Sequence, residues 1–273
     1  MGQFGLEQEP LDISKWRELL ETAYDESWWS RLSDDDNHYR IVERIGQPLR
    51  VKLLYDSYLW KWLLAQSHIN SAEQVVELLP GWSHTIAVAL ESLGFSGKLL
   101  QVDLELPHAN RTLFPFERVW VKQSIFDLQE ELSQASLIIG HHILDDILIC
   151  QANATDDQRK TYYSSPTLSQ STWGQLAQHP SLSTWIEATA SCIANIASRL
   201  TEGQTLVLRE YPSTTATRQG DNVRWSIELA VQNSVFERLA TMEQVSVTIP
   251  DLSQAPVPAG CRFPSSGIIV TRS

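Results

Sequence analysis

The chain has 273 residues, of which 42% are hydrophobic and 20% charged, the usage of an ordinary globular protein with a large core. Its formal net charge is −12, from 21 basic and 33 acidic residues. A nucleic-acid partner is disfavoured, because nucleic-acid binding draws on clustered Lys and Arg, and the basic residues here are scattered.

The cysteines and the N-terminal segment favour a reducing, aqueous compartment. Cys150, Cys192 and Cys261 are widely spaced and contain no C-x-x-C pair, so neither a disulfide framework nor a zinc knuckle is indicated. The N-terminal segment has no basic region followed by an apolar stretch, and no window reaches about 18 apolar residues. We therefore expect a soluble, cytoplasmic protein without a membrane partner.

Residues 11 to about 70 have helical apolar spacing and precede the first predicted strand. We interpret residues 1–70 as a helical cap on the domain formed by residues 71–273. Tyr55 and Tyr58 lie in an aromatic-rich part of this cap. Helix core packing explains such spacing most often, but lids over substrates use the same residues, so both are candidate substrate contacts.

Residues 74–105 have the pattern of a strand, a turn, a helix and a second strand. A short apolar run, Val75, Val76, Leu78 and Leu79, is typical of a buried parallel strand, and apolar residues resume at helical spacing over 86–93. The second strand ends at Asp103, 22 residues after Gly81 of the turn. A carboxylate at this position can bind the two hydroxyls of a ribose lying over the turn.

The first strand and its turn, Glu77-Leu78-Leu79-Pro80-Gly81-Trp82-Ser83, resemble the first motif of class I S-adenosylmethionine-dependent methyltransferases. That motif has an acid, an apolar residue and then glycines at alternate positions. Gly81 keeps the middle glycine, whereas Leu79 and Ser83 stand where glycines are usual. Ser83 can instead be the N-cap of the following helix.

The resemblance implies S-adenosylmethionine as the cofactor. The ammonium group of this cofactor is expected to bind the carboxylate of Glu77, and its ribose the carboxylate of Asp103. A nicotinamide dinucleotide is disfavoured, because the turn lacks the G-x-G-x-x-G run that brings backbone amides against a pyrophosphate.

The rest of the sheet follows in chain order. Further strands are predicted at 118–122, 135–140, 205–210, 244–249 and 267–271, and an amphipathic helix at 182–200. Seven strands that end in a sequential pair resemble the α/β, Rossmann-like sheet of the methyltransferase fold, whose ligands bind at the carboxyl ends of the strands.

Two more segments resemble the family pattern by position. The segment 121–128 resembles the family motif after the third strand, in which an acid usually contacts adenine. Here Ser124 stands at the position of that acid, and Asp127 comes three residues later. The segment 135–148 is similar to the fourth-strand motif of the family. It lacks the [DNS]-P-P-[YF] sequence of enzymes that methylate amino groups of bases, so nucleobase methylation is disfavoured. The resemblance implies further cofactor contacts by Leu104, Ser124, Ile125, Gly140 and His141.

The candidate catalytic residues His141, His142 and Asp145 directly follow the fourth strand. With Asp146 they form histidine–acid pairs at four-residue spacing if a helix starts there. A histidine held by a carboxylate is a general base near neutral pH, for which we favour His141; an acceptor carboxylate needs no base, and histidine would then donate a hydrogen bond. A capped helix start with satisfied side chains is the alternative, while adjacent side chains disfavour a metal site.

Residues 150–182 form a long polar stretch, and loops of this length are usually lids or disordered. Bulky aromatic residues favour a lid, so Tyr162, Tyr163 and Trp173 are candidate substrate contacts.

The sequence therefore predicts a methyltransferase acting on a small molecule or peptide, with O-methylation ahead of N- and C-methylation, in natural-product tailoring. One alternative is a catalytically silent methyltransferase-like protein with a binding or scaffolding role, because three positions depart from the motifs. A dinucleotide oxidoreductase is the second alternative, and the turn disfavours it.

Overall fold

The computed structural model describes residues 47–67, 74–80, 85–104, 114–152, 166–211, 222–256 and 265–273. The chain divides into two compact units. One contains Met1–Gly140 with Pro250–Pro264, and the other contains His141–Ile249 with Ser265–Ser273. The predicted division into a cap at 1–70 and a domain at 71–273 stays a prediction.

The first unit is built on parallel strands. Its elements are α1 (Gln47–Gln66), β1 (Gln74–Leu78), α2 (Thr85–Ser92), β2 (Lys98–Asp103), β3 (Glu117–Lys122), α3 (Glu130–Gln134), β4 (Leu137–His141, whose last residue is the first of the second unit) and a 3₁₀ turn at Leu252–Gln254. β1 pairs in parallel with both β2 and β4, and β2 pairs with β3. The short apolar runs of β1 and β2 are buried, as expected of central parallel strands, and α1 packs against α2.

The second unit combines antiparallel strands with longer helices. Its elements are α4 (Leu144–Gln151), α5 (Pro166–Gln178), α6 (Leu182–Ser198), β5 (Thr205–Glu210), α7 (Asn222–Ala240), β6 (Val245–Thr248) and β7 (Ser266–Arg272). β7 is antiparallel to both β5 and β6. α7 packs against α4, α5 and α6, so residues of α4 and α7 can form one buried polar cluster.

The seven strands have the order β3-β2-β1-β4-β5-β7-β6. This confirms the predicted α/β class and the predicted pairing of the last two strands in sequence. The strand predicted at 205–210 has the observed bounds, and the others differ by one or two residues at an end. No helix of the described residues is long and apolar enough to cross a membrane.

Two predictions of local structure need correction. The polar stretch at 150–182 is not one long loop, because α5 occupies Pro166–Gln178 within it. The helix after β4 starts at Leu144, so the histidine–acid contact there joins His142 to Asp145 at i, i+3 and not at i, i+4.

Candidate active site

Glu77 lies near the end of β1 and is buried, with 1% of its surface exposed. Its cross-strand partner Gln101 donates a hydrogen bond from Nε2 to Oε2 of Glu77 over 2.7 Å. Burial raises the pKa of Glu77 to about 7, although the hydrogen bond from Gln101 and the charge of Arg118 lower it. Glu77 is thus a carboxyl group whose ionisation at neutral pH depends on nearby positive charge.

Leu79 directly follows β1 and has a left-handed backbone, with φ 49°. Side chains on this conformation meet the backbone, which costs roughly 1–2 kcal/mol for residues other than glycine. The position is one at which the resemblance places a glycine. The Leu79 N–H donates to the Val102 carbonyl over 2.8 Å, so the exit of β1 is tied to the residue before Asp103. Gly81 and Ser83 lie outside the described residues.

Asp103 ends β2 and is half-buried. Its carbonyl accepts the N–H of Gln123 over 3.1 Å, and its strand partner is Lys122 at the end of β3. Leu104, which follows, is 41% exposed. The two predicted acids therefore lie near the carboxyl ends of paired parallel strands, where the Rossmann-like arrangement places ligands.

The segment after β3 forms a turn around Ser124. The Ser124 carbonyl accepts the Asp127 N–H over 3.0 Å, and its hydroxyl accepts the Phe126 N–H over 3.3 Å. Ile125 is buried and Asp127 is exposed, so Asp127 is the accessible acid of this segment. Gly140 lies in β4 as the strand partner of Leu78.

Three residues that were not predicted from the sequence share a sheet face with Glu77. Gln101 lies opposite Glu77, Trp120 lies opposite Gln101, and Arg118 lies two residues before Trp120. The Arg118 guanidinium lies 5.3 Å from the Trp120 ring centroid. The two-residue period of strands places them on one face once the register is known, but the sequence does not contain the register.

His142 lies between two carboxylates in the second unit. Its Nε2 lies 3.6 Å from Oδ2 of Asp145, and its Nδ1 lies 3.4 Å from Oε2 of Glu210. Burial alone would lower the pKa of His142, but the charges of Asp145 and Glu210 outweigh burial and raise it to about 9. His142 is therefore protonated at neutral pH and cannot accept a proton there, and the general base that the sequence favoured is its neighbour His141.

Two further contacts fix the position of His142. Its backbone is left-handed, with φ 58°, and its N–H donates to the Arg209 carbonyl over 2.8 Å. Its ring is stacked on Tyr211, with centroids 4.1 Å apart and planes 12° apart. A left-handed residue other than glycine is held by its surroundings, and these contacts supply that support.

Glu210, at the end of β5, holds the start of α4. Its Oε1 accepts the N–H groups of Ile143, over 3.0 Å, and Leu144, over 3.4 Å. A carboxylate at a helix N-terminus satisfies backbone donors that have no partner inside the helix. Burial raises the pKa of Glu210, while the hydrogen bond and charge of His142 lower it.

Arg224, from α7, joins the remaining acids of this cluster. It contacts Oδ2 of Asp145 over 3.0 Å and Oε1 of Glu228 over 2.6 Å. Atoms of His142, Asp145 and Glu228 lie within 4.8 Å of one another, but the guanidinium already supplies the cation between the two carboxylates, so we assign no metal to this cluster. Trp173 is fully buried beneath Arg224, 5.1 Å from ring centroid to guanidinium carbon.

His141, the last residue of β4, has a different partner from His142. Nη1 of Arg209 lies 2.9 Å from its Nε2. Arg209 is 1% exposed, and its guanidinium lies over Tyr211, 4.8 Å from the ring centroid. The His141 ring also meets Tyr211 edge-on, with centroids 5.5 Å apart.

The candidate catalytic residues thus have different polar side-chain partners, His142 with Asp145 and His141 with Arg209, and both histidine rings contact Tyr211. The sequence patterns did not indicate Arg209, Glu210 and Tyr211, although polar residues at the end of a buried strand were an available signal. Of the candidate substrate contacts, Trp173 is a core residue and Tyr58 is half-buried. Tyr162 and Tyr163 lie outside the residues that the structure describes, as does the side chain of Tyr55.

No protein-family model and no curated protein matches the chain. Among solved structures, the plantazolicin methyltransferase BpumL in complex with SAH is similar over 96% of this chain and 99% of its own, with 9% identity and a TM-score of 0.48. The N-methyltransferase NodS from Bradyrhizobium japonicum is similar over 78% and 93%, with 13% identity and a TM-score of 0.38. A DUF574 family protein from Streptomyces avermitilis is similar over 82% and 83%, with 10% identity and a TM-score of 0.44.

The strand order of this chain, with β7 antiparallel between β5 and β6, is that of the class I methyltransferase fold. The fold that the sequence motifs implied is therefore present.

Proposed function

We propose that this protein transfers a methyl group from S-adenosylmethionine to a small-molecule or peptide acceptor, with O-methylation favoured. One observation carries the proposal. Leu79, the left-handed residue that follows β1, donates its backbone N–H to the carbonyl of Val102, the residue before Asp103. This couples the motif turn to the acid that would bind a ribose. A fold alone does not define a function, so the proposal depends on these residues.

The described residues fit this cofactor. Glu77 and Asp103 lie near the carboxyl ends of paired strands, and no phosphate has to be bound. Burial raises the pKa of Glu77 to about 7, so a cofactor ammonium nearby would favour its ionised form. Asp103 would hold the ribose hydroxyls, and Leu104, Ser124 and Ile125 would contact the base.

When bound, the cofactor supplies a methyl group already activated by a sulfonium. The protein then has to align the acceptor oxygen and control its protonation, since in-line displacement needs little other assistance. His141 is the residue we assign to the acceptor, because His142 is held as a cation by Asp145 and Glu210. The ten tryptophans of the chain favour an apolar or extended acceptor, as in natural-product tailoring.

A catalytically silent binding protein is the second candidate. The observation that favours it is that both histidines are engaged by neighbouring side chains, His141 by Arg209 and His142 by two carboxylates. Such a protein would bind the cofactor and transfer no methyl group to any acceptor.

Thermal unfolding with added ligands separates the candidates. We expect SAH at 100 times its Kd to stabilise the protein by about 2.7 kcal/mol, while NAD gives no shift. Stabilisation by NAD alone would support the dinucleotide oxidoreductase. Stabilisation by SAH without labelled product from any acceptor would support the silent binding protein.

A further inference from the structure

The contact between Arg209 and His141 defines the protonation of His141. A guanidinium has only N–H donors, so the 2.9 Å contact is a hydrogen bond only when Nε2 of His141 accepts. The proton of the neutral ring is then on Nδ1. A proton on Nε2 would place two N–H donors opposite each other across this distance, and a ring protonated on both nitrogens would also oppose two positive charges.

The charge of Arg209 also bears on the protonation of His141. His142, the next residue, is a cation between Asp145 and Glu210, and Arg209 is itself buried over the Tyr211 ring. The charge of His142 is offset by its two carboxylate partners, whereas the guanidinium of Arg209 is in direct contact with the ring and disfavours a positive charge on His141. His141 thus has no nitrogen that readily takes a proton from an acceptor.

From this arrangement we infer that Arg209 is a positioning residue that fixes His141 as a neutral Nδ1–H donor, and that the methyl acceptor is a carboxylate, which needs no base. The inference rests on the proposed function and names its substrate class. The carboxylate oxygen forms a bond to the methyl carbon as the carbon–sulfur bond breaks, and that electron pair stays on sulfur. An anion and a sulfonium become a neutral ester and a thioether, so no proton is released. A hydroxyl acceptor would release one.

The tautomer can be measured without cofactor or acceptor. Nitrogen-15 NMR of the full chain, with the His141→Gln spectrum used for assignment, should show His141 protonated on Nδ1 alone and unchanged from pH 5.5 to 8. Arg209→Gln should let His141 titrate near its ordinary pKa of about 6.5. Arg209→Lys should restore the parental signal, because lysine keeps the charge and a donor. A proton on Nε2, or titration of His141 in the parent, would overturn the assignment.

The acceptor class is tested by transfer of a labelled methyl group to matched acids, alcohols and amines: phenylacetate, 2-phenylethanol and 2-phenylethylamine, each also coupled to short peptides. We expect a base-labile ester from the acids only, with no proton released per SAH formed. A base-stable product with one proton released would overturn the carboxylate inference, as would no product from a protein that binds SAH. Failure to bind SAH would instead overturn the proposed function.

Discussion

The Nδ1 of His142 lies 3.4 Å from Oε2 of Glu210, and the other oxygen of that carboxylate accepts the N–H of Ile143. One buried acid therefore holds both the histidine that follows β4 and the first turn of α4. Asp145 holds the opposite edge of the same ring. Because Glu210 and Asp145 both contact the ring, the stability of this region depends on the protonation of His142.

The first prediction concerns this dependence on pH. The pKa of His142 is raised to about 9 in the folded protein, from 6.5 when unfolded. The contribution of His142 to the free energy of unfolding is thus complete below pH 6.5 and is lost as pH rises through 9. The total loss over this pH range is about 3 kcal/mol. Urea unfolding should show this loss in the parent and not in His142→Gln, with exposed His179→Gln as control. Parallel curves for parent and His142→Gln would contradict the ion pairs.

The second prediction is that Glu210→Gln weakens the start of α4 and lowers the pKa of His142. The amide keeps one oxygen for the Ile143 N–H but removes the charge, so we expect a loss of about 1–3 kcal/mol at pH 7. NMR titration of His142 reports the pKa directly. An unchanged His142 titration would show that Asp145 alone holds the proton.

The sheet was readable from sequence because its strands are short apolar runs separated by turn residues or helices. Helix α7 was missed because its apolar face is interrupted by buried charged residues, including Arg224 and Glu228. Those charges are tolerable only because they pair with each other and with Asp145, across 79 residues of sequence for Arg224. Pairing at such separation depends on tertiary packing. His142 and Asp145 could therefore be recognised from the sequence as candidate site residues, but their partners and the protonated state of the histidine ring could not.

The third prediction concerns the left-handed Leu79. At most sites glycine is less stable than alanine by about 0.5–1 kcal/mol, whereas at a left-handed residue the order reverses. Leu79→Gly should therefore be more stable than Leu79→Ala by about 1 kcal/mol. The control pair at exposed Asn195 of α6 should show the ordinary order, with alanine ahead. Alanine ahead at both sites would contradict the left-handed conformation.

The fourth prediction is that Glu77→Gln stabilises the protein at pH 8. The pKa of Glu77 is raised from 4.5 to about 7, so its folded state loses stability as pH rises from 4.5 through 7. The amide cannot ionise and should gain about 1–3 kcal/mol at pH 8 and almost nothing at pH 4.5. Affinity for SAH should fall in the same variant, because an amide does not offset the cofactor ammonium. A destabilised variant at pH 8 would contradict burial of the ionised carboxylate.

Titration calorimetry with SAH tests the central claim, that the carboxyl ends of β1 and β2 bind the cofactor. The parent should bind at micromolar concentration, and Asp103→Ala should bind roughly ten- to a hundredfold more weakly, because charge-assisted hydrogen bonds to the ribose are lost. Glu117→Ala removes an exposed acid at the opposite end of β3, paired with Lys98, and should bind like the parent. No binding by the parent, or equal binding by Asp103→Ala and Glu117→Ala, would contradict the account.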